Sequence, residues 1–485
     1  MLEYTITKFG SGITITDSLG RTRYFPSLNI INNSDDISAE GGPIFEFRSG
    51  NSVLRFSNSE IISVAGVSTS GMLIGLFDQI TSLMMSSDNN LKSANETALA
   101  TTLSYNTAVR NNPHYNSVIS SPPNLNSTGG SAAPGLTNFY YAVSFGSPSA
   151  SFSYYGGSPV IFANDYLQFP STTVPSGGNI SNKSNAVTWR VGFYSDSPKV
   201  AIGVLGYYKY RFLVDNSYVS KEQTDYSVFG GAQYTTLDFT AAGGSKKRYI
   251  EVEGFQAGGF HAVAVQPNYK VWSLAITKKL IIVGDSFVVG TGTSIDNDGL
   301  GTVIADYLGI RNVVCVAIGG TGYTNAGTTY KFADHSSDWT TKNPDIIVFA
   351  GGINDADDNN LQPAVQSLVQ NTRAALPNTI IVVLGVWPGS TGPSNATISK
   401  EKKIAAAVSA IADKYIVFIP IATDPTGSWV TGNGKIDAPT GDGNSDIVTC
   451  PDGTHPTNYG HLYLGQRIAD KIAEQLYFLL IISSS

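Results

Sequence analysis

Two hydrophobic rhythms divide the chain. From Leu280 onward, unbroken apolar runs (Leu280 to Val283, Val313 to Ile318, Ile346 to Ala350, Ile380 to Val386, Ile416 to Ile419) alternate with stretches of helical spacing (Gly301 to Leu308, Leu361 to Ala375, Ser399 to Lys414, Tyr459 to Leu476). A strand that is apolar on both sides is buried on both faces. The alternation therefore predicts a parallel sheet between two layers of helices, a three-layer α/β domain over 279–485. Between Asn138 and Trp272 the period falls to two, as in Val187-Thr-Trp-Arg-Val-Gly-Phe, Lys209-Tyr-Arg-Phe-Leu-Val, Tyr234-Thr-Thr-Leu-Asp-Phe and Arg248-Tyr-Ile-Glu-Val-Glu. Strands with one apolar and one polar face predict a jelly-roll-like β-sandwich, an accessory domain over 136–278.

Before these, short alternating runs such as Gly12-Ile-Thr-Ile-Thr and Val53-Leu-Arg-Phe-Ser, separated by Gly, Asn, Asp and Ser, predict a small β-rich unit up to about Ser63. Apolar residues at helical spacing between Met72 and Met85 predict a helix, and Leu91 to Arg110 a second. Beside the β unit such a helix suits oligomerisation or is simply solvated, and the region 1–110 resembles the attachment regions of phage tail proteins. Asn111 to Gly135 holds Pro113, Pro122, Pro123 and Pro134 among Ser, Asn and Gly, a composition that predicts a linker. The expectation is a multidomain chain, as its 485 residues already require.

Composition narrows the partners. A net charge of −7 without a basic run gives no footprint for nucleic acid or an anionic membrane. Cys315 and Cys450 are the only cysteines, which excludes a disulfide scaffold and argues against a Cys-based zinc site; both are expected to be buried thiols. The start, Met1-Leu-Glu-Tyr-Thr, has no basic segment followed by an apolar core, so no signal peptide is visible, and the run Leu476 to Ile482 is too short to span a bilayer. A soluble protein without membrane insertion is expected, exported, if at all, by another route.

Active sites of parallel sheets lie at the carboxyl ends of strands, and the loops that follow each run are where the chemistry concentrates. After the first run comes Gly284-Asp285-Ser286, a turn that either exposes the Ser hydroxyl or uses Ser as the cap of the next helix. After the second comes Gly319-Gly320-Thr321-Gly322, and after the third Gly352-Ile353-Asn354-Asp355. A glycine amide and an Asn carboxamide are donors suited to an oxyanion. After the fifth run and a Gly-rich loop comes Asp452-Gly-Thr-His455-Pro456, a carboxylate three residues before an imidazole, followed by a helix. Such an acid can orient the ring while its other nitrogen takes a proton from a Ser hydroxyl. No G-x-G-x-x-G follows the first strand, which argues against a dinucleotide site. Asp355-Ala-Asp357-Asp358-Asn359 and Asp442-Gly-Asn444-Ser-Asp446 lack the Gly and Glu of a calcium loop and read as solvated turns. Trp387, after the fourth run, is a candidate for lining an acyl or sugar pocket, or equally a core aromatic. The loop Thr431 to Asp446 is expected to flank the site as a mobile segment.

In this order the four blocks resemble the SGNH/GDSL hydrolase superfamily, over roughly Lys279 to Leu476. The resemblance implies Ser286 as nucleophile, His455 as base and Asp452 as its orienting acid. It implies the amides of Ser286 and Gly320 and the side chain of Asn354 as oxyanion hole, with Gly319 an alternative to Gly320. The implied reaction is acyl transfer through an acyl-enzyme, without a metal or cofactor. The preceding sandwich is similar to arrangements in carbohydrate esterases, including those of phage tails, and Tyr207-Tyr208-Lys209-Tyr210 is a candidate sugar-stacking segment or a plain cross-strand cluster. The expectation is a virion-associated or extracellular esterase that removes O-acetyl groups from a polysaccharide, alongside other tail proteins and as a homotrimer. Two other readings stand beside it: a non-catalytic glycan-binding tail protein and a lipase-like esterase, the latter requiring a more apolar lid than the Gly/Asp loop before His455.

Overall fold

The computed structural model describes residues 118–483, except 158, 163–165, 170–187, 256–257, 275–277 and 329, and before them six strands. Those strands form two three-stranded antiparallel sheets, Tyr4–Phe9, Gly12–Asp17 and Thr22–Phe25, then Phe45–Ser49, Ser52–Phe56 and Ile61–Ala65. The helices expected over 72–85 and 91–110 and the first part of the linker lie outside the described residues.

The remainder of that linker is corrected by the structure. Asn124–Ser127 pairs antiparallel with Ala232–Asp238, and Leu136 is buried against Ala201, Tyr234 and Ala264. Composition hid this because an edge strand is held by backbone hydrogen bonds, and the four side chains of this one are exposed. The described residues of 124–272 form two antiparallel sheets of seven strands and a two-stranded ribbon. One runs Ser153–Tyr155, Thr188–Ser195, Arg248–Phe255, Lys209–Val214; the other centres on Lys199–Leu205 between Gly259–Val265 and Ala232–Asp238. Alternate residues of both, among them Trp189, Phe193, Phe212, Ile202 and Val263, fill one shared core.

The other face of the first sheet carries the polar half of the alternation, and it is not wet. Arg190, Arg211, Glu251 and Glu253 are at most 3% exposed, because this face is covered by the C-terminal domain. Arg190 grips Asp306 with two hydrogen bonds of 2.6 and 3.0 Å and reaches Glu253 through Nε at 2.8 Å. Arg211 joins Glu253 to Asp298, and Arg311 pairs with Glu251. Burial would lower the Arg190 pKa, but Asp306 and Glu253 outweigh it and hold the guanidinium above its ordinary value.

The C-terminal domain is a five-stranded parallel sheet, β1 (Lys279–Gly284), β2 (Asn312–Ala317), β3 (Ile346–Ala350), β4 (Ile380–Leu384) and β5 (Ile416–Ile419), in the order 2-1-3-4-5. A short α1 (Ser286–Val289) follows β1, then α2 (Leu300–Leu308), α3 (Leu361–Ala375), α4 (Asn395–Ser409) and α5 (Asn458–Ser483). Leu280 and Ile282 face α2 and α5, while Ile281 and Val283 face α3 and α4. Each strand thus buries both faces, at roughly 1.5–3 kcal/mol per aliphatic side chain. α4 starts four residues before the expected Ser399 because Ser394 caps it, accepting from the Thr397 amide at 3.1 Å. It ends at Ser409, not Lys414, where the chain turns and Ala412 takes a positive φ of 53°.

Removing Asp306 would leave the buried Arg190 guanidinium with only Glu253, which it shares with Arg211. Asp306→Ala is expected to lower the unfolding free energy by about 3 kcal/mol, read from urea denaturation; a loss under ~1 kcal/mol would mean that the pair is dispensable.

Candidate active site

The strand-to-helix turn after β1 is sterically narrow. A Cβ on Gly284 would sit 2.3 Å from Val288 Cγ2 and 2.9 Å from the Ala350 carbonyl, so glycine is required there. Asp285, and not Ser286, is the helix cap: its Oδ1 accepts from the Phe287 amide at 3.0 Å. The Ser286 hydroxyl is thereby left for other partners, and it meets His455 Nε2 at 2.8 Å. On the far side of the ring, Nδ1 meets Asp452 Oδ2 at 2.6 Å. Asp452 Oδ1 also accepts from the amides of Thr454 and His455, at 2.8 and 3.0 Å. Burial pushes the Asp452 pKa up, but the bonds from the His455 ring and from these amides outweigh it and hold the carboxylate below its ordinary range. The three side chains form a hydroxyl–imidazole–carboxylate chain, with Asp452 and His455 drawn from a loop that follows β5, an arrangement in which a ring nitrogen can take a Ser proton.

The structure brings the other two predicted blocks beside Ser286. Gly320 has a φ of +76°, the left-handed region that favours glycine, whereas its neighbour Gly319 does not. The amides of Ser286 and Gly320 donate to no protein acceptor among the described residues. Asn354 differs: its Nδ2 already donates to Asp285 Oδ2 at 3.1 Å and to the Thr321 carbonyl at 2.9 Å. Both of its amide protons therefore have acceptors.

Three buried acids support these loops. Asp285 is 2% exposed, and burial pushes its pKa up to about 7, aided by the nearby Asp355. Asp355, read above as part of a solvated turn, is instead buried. It accepts from the amides of Tyr323, Thr324 and Asn325, which fixes the loop after β2. Glu401 on α4 is fully buried and accepts from the amides of Val386, Ile421, Ala422 and Thr423, joining the ends of β4 and β5. Lys400 adds a bond to the Ile353 carbonyl at 2.9 Å. Sequence reading missed Glu401 because a Glu inside an amphipathic helix gives no sign of facing inward.

Trp387 is 5% exposed, with its indole N–H unpartnered, and lies edge-on to Phe287 at 6.1 Å. With Asp285, Phe287, Ile353 and Leu464 it lines a small apolar recess behind the turn that carries Ser286. Of the tyrosine segment, Tyr207 is exposed, but Tyr210 is buried in the two-sheet core and donates to the Leu205 carbonyl. The loop Thr431 to Asp446 carries its own bonds, with Asp446 accepting from the amides of Thr440 and Gly441 and Asp442 from that of Asn433. It lies against 389–391, as does the His455 loop: Gly434 donates to the Ser390 carbonyl and Ser390 to that of Gly453. Cys315 and Cys450 are buried free thiols.

A second histidine, His461, is fully buried on α5, and its Nε2 lies 2.9 Å from the Thr291 carbonyl, the acceptor that a ring N–H there would use. Burial pushes its pKa down from 6.5 to about 4. The unfolded chain then binds a proton more readily, so this residue's contribution to stability is present above pH 6.5 and is lost as the pH falls toward 4. His461→Gln is expected to flatten the dependence of the urea midpoint on pH across that interval; an unchanged slope would place the titration elsewhere.

Comparison with known proteins agrees with this geometry. Residues 282–462 match the GDSL-like lipase/acylhydrolase family. A family two carbohydrate esterase from Cellvibrio japonicus is 11% identical, over 73% of this chain and 99% of that one, with a TM-score of 0.50. The acetyl xylan esterase Est2A from Butyrivibrio proteoclasticus is 12% identical over 70% and 99%, with a TM-score of 0.47. The salicylyl-acyltransferase SsfX3 from a tetracycline biosynthetic pathway is 14% identical over 67% and 94%, at 0.48. No curated protein matches the chain. With the family match spanning the loops that bring Ser286, Asn354, Asp452 and His455 together, the C-terminal domain belongs to the GDSL-like lipase/acylhydrolase family and is a serine ester hydrolase.

Proposed function

We propose that the protein removes O-acetyl groups from a polysaccharide. The observation that carries the reading is the relay of 2.8 and 2.6 Å from Ser286 through His455 to Asp452, near two backbone amides with no acceptor among the described residues. His455 takes the hydroxyl proton as Ser286 attacks the ester carbonyl carbon. The carbonyl oxygen gathers charge facing the amides of Ser286 and Gly320. The proton passes from His455 to the departing sugar oxygen, leaving an acetyl-enzyme, and a water activated by the same ring releases acetate.

The polysaccharide half of the proposal has two supports. The loop 431–446 beside His455 is built largely on the polar side chains of Asn433, Thr440, Asp442 and Asp446. The Cellvibrio japonicus protein, named a carbohydrate esterase, shares the fold over nearly its whole length. The jelly-roll reading of the two sheets, a virion-associated or extracellular setting with the first hundred residues as attachment region, and a homotrimer belong to the same proposal.

Acetate release from a panel of acetylated polysaccharides, with aryl acetate and long-chain aryl esters as controls, tests it. Acetate release from at least one polysaccharide is expected, with long-chain esters poorer by at least about 10²-fold in kcat/KM, the scale on which pockets separate acyl chains. Ser286→Ala is expected to abolish turnover, with folding unchanged by circular dichroism. Turnover of long-chain esters alone would sink the polysaccharide reading, and activity persisting in Ser286→Ala would move the nucleophile.

A further inference from the structure

The nucleophile and its base stand on pieces of chain far apart in sequence, and the relay joins them by one side-chain bond, between Ser286 Oγ and His455 Nε2. Close behind that bond, residues 291–294, which leave α1, run against the start of α5, which leaves the His455 loop. Gly292 has a φ of +99°, and a Cβ there would stand 2.2 Å from the Pro456 carbonyl, so the two main chains are in direct contact. Asn458 holds Ser294 twice, accepting from its amide at 2.7 Å and pairing with its hydroxyl at 2.6 Å. Both residues are exposed, so water can replace either bond at little cost. His461 makes the tie that water does not reach. It is fully buried in the first turn of α5, with Nε2 2.9 Å from the Thr291 carbonyl. The Thr291 amide in turn donates to the Ser286 carbonyl at 3.0 Å. A carbonyl only accepts, so the neutral ring that burial enforces carries its proton on Nε2, while Nδ1 has no partner among the described residues.

We propose that His461 is a positioning residue of the relay, which through Thr291 fixes the main chain of Ser286 against the helix that follows the His455 loop. The proposal rests on the serine-esterase reading and deepens it: the bond between hydroxyl and imidazole is set from outside the active site. Two observations separate this role from helix packing. The start of α5 is already capped by Thr457, whose hydroxyl accepts from the Gly460 amide at 3.0 Å. An apolar side chain would also fill the space without the cost of burying an unpartnered ring nitrogen, and the one bond that His461 makes in return goes to the nucleophile's turn.

Kinetics on aryl acetate test it with two amide variants of different reach. The side-chain nitrogen of Gln can stand where Nε2 does, and that of Asn falls short of Thr291. His461→Asn is expected to lower kcat about 10²-fold, the scale of a small misplacement in an active site, with KM within about threefold. His461→Gln is expected to keep most of the wild-type kcat, and urea midpoints read the folding of both separately. An Asn variant at wild-type kcat, or a Gln variant as impaired as Asn, overturns the proposal. A second measurement needs no turnover: the NMR resonance of the His455 Nε2 nitrogen reports whether Ser286 Oγ is bonded to it. In His461→Asn that resonance is expected to move to its value in Ser286→Ala; an unmoved resonance overturns the proposal. In the wild type a slowly exchanging proton on His461 Nε2 is expected, and a ring protonated on Nδ1 instead overturns the proposal even where His461→Asn does not fold. Failure of the wild type to hydrolyse any ester would refute the esterase reading, and the two resonances then decide the tie by themselves.

Discussion

Backbone amides that leave a buried parallel sheet must find acceptors where water does not reach. At the carboxyl edge of this sheet they find carboxylates. Asp285 takes the Phe287 amide, Asp355 takes three amides of the loop after β2, and Glu401 takes four from the ends of β4 and β5. A buried amide without a partner costs roughly 1–3 kcal/mol, and an unpaired buried carboxylate costs more, so each satisfies the other. The loops after β1, β2, β4 and β5 are fixed in this way. The amides of Ser286 and Gly320 donate to no acceptor among the described residues.

The same constraint explains the division of labour within Gly284-Asp285-Ser286. Because Asp285 caps α1, the Ser286 hydroxyl is not consumed by the helix and can bond to His455. Because the residue before it is glycine, the turn packs against Val288 and the Ala350 carbonyl without a clash. Asp452 repeats the device at the other side of the cleft, where it accepts two local amides and the imidazole at once. An acid used in this way orients the ring and stays ionised well into the acidic range.

What the chain order disclosed was the layering and the strand ends. Unbroken runs such as Ile346 to Ala350 can only be doubly buried strands, and the loops after them hold Ser286, Gly320, Asn354 and His455. Three kinds of feature were not legible. An edge strand with exposed side chains, Asn124–Ser127, has no hydrophobic signature, since its pairing is made by the main chain. Asp355 and Glu401 look like any surface acid, because their burial is decided by how loops distant in sequence fold over them. The charged positions between Trp189 and Phe193 and around Val252 read as a solvent face, because period-two alternation reports that two faces differ and not what lies against the second. Nor does a motif show that the protons of Asn354 are already committed; that depends on the Thr321 carbonyl and Asp285 meeting at one point.

The buried charges on that second face bear on how such a protein can be assembled from parts. Cut between the two-sheet and parallel-sheet domains, the chain would bare Arg190, Arg211, Glu251 and Glu253 on one side and Asp298, Asp306 and Arg311 on the other. Neither half is a self-sufficient cassette. A sandwich grafted from another protein would fit only if it brought guanidinium and carboxylate groups to the same lattice of positions, so the pair is inherited, or redesigned, as one piece. Recombination that respects the apparent boundary in the amino-acid pattern would break the molecule where it is least able to tolerate water.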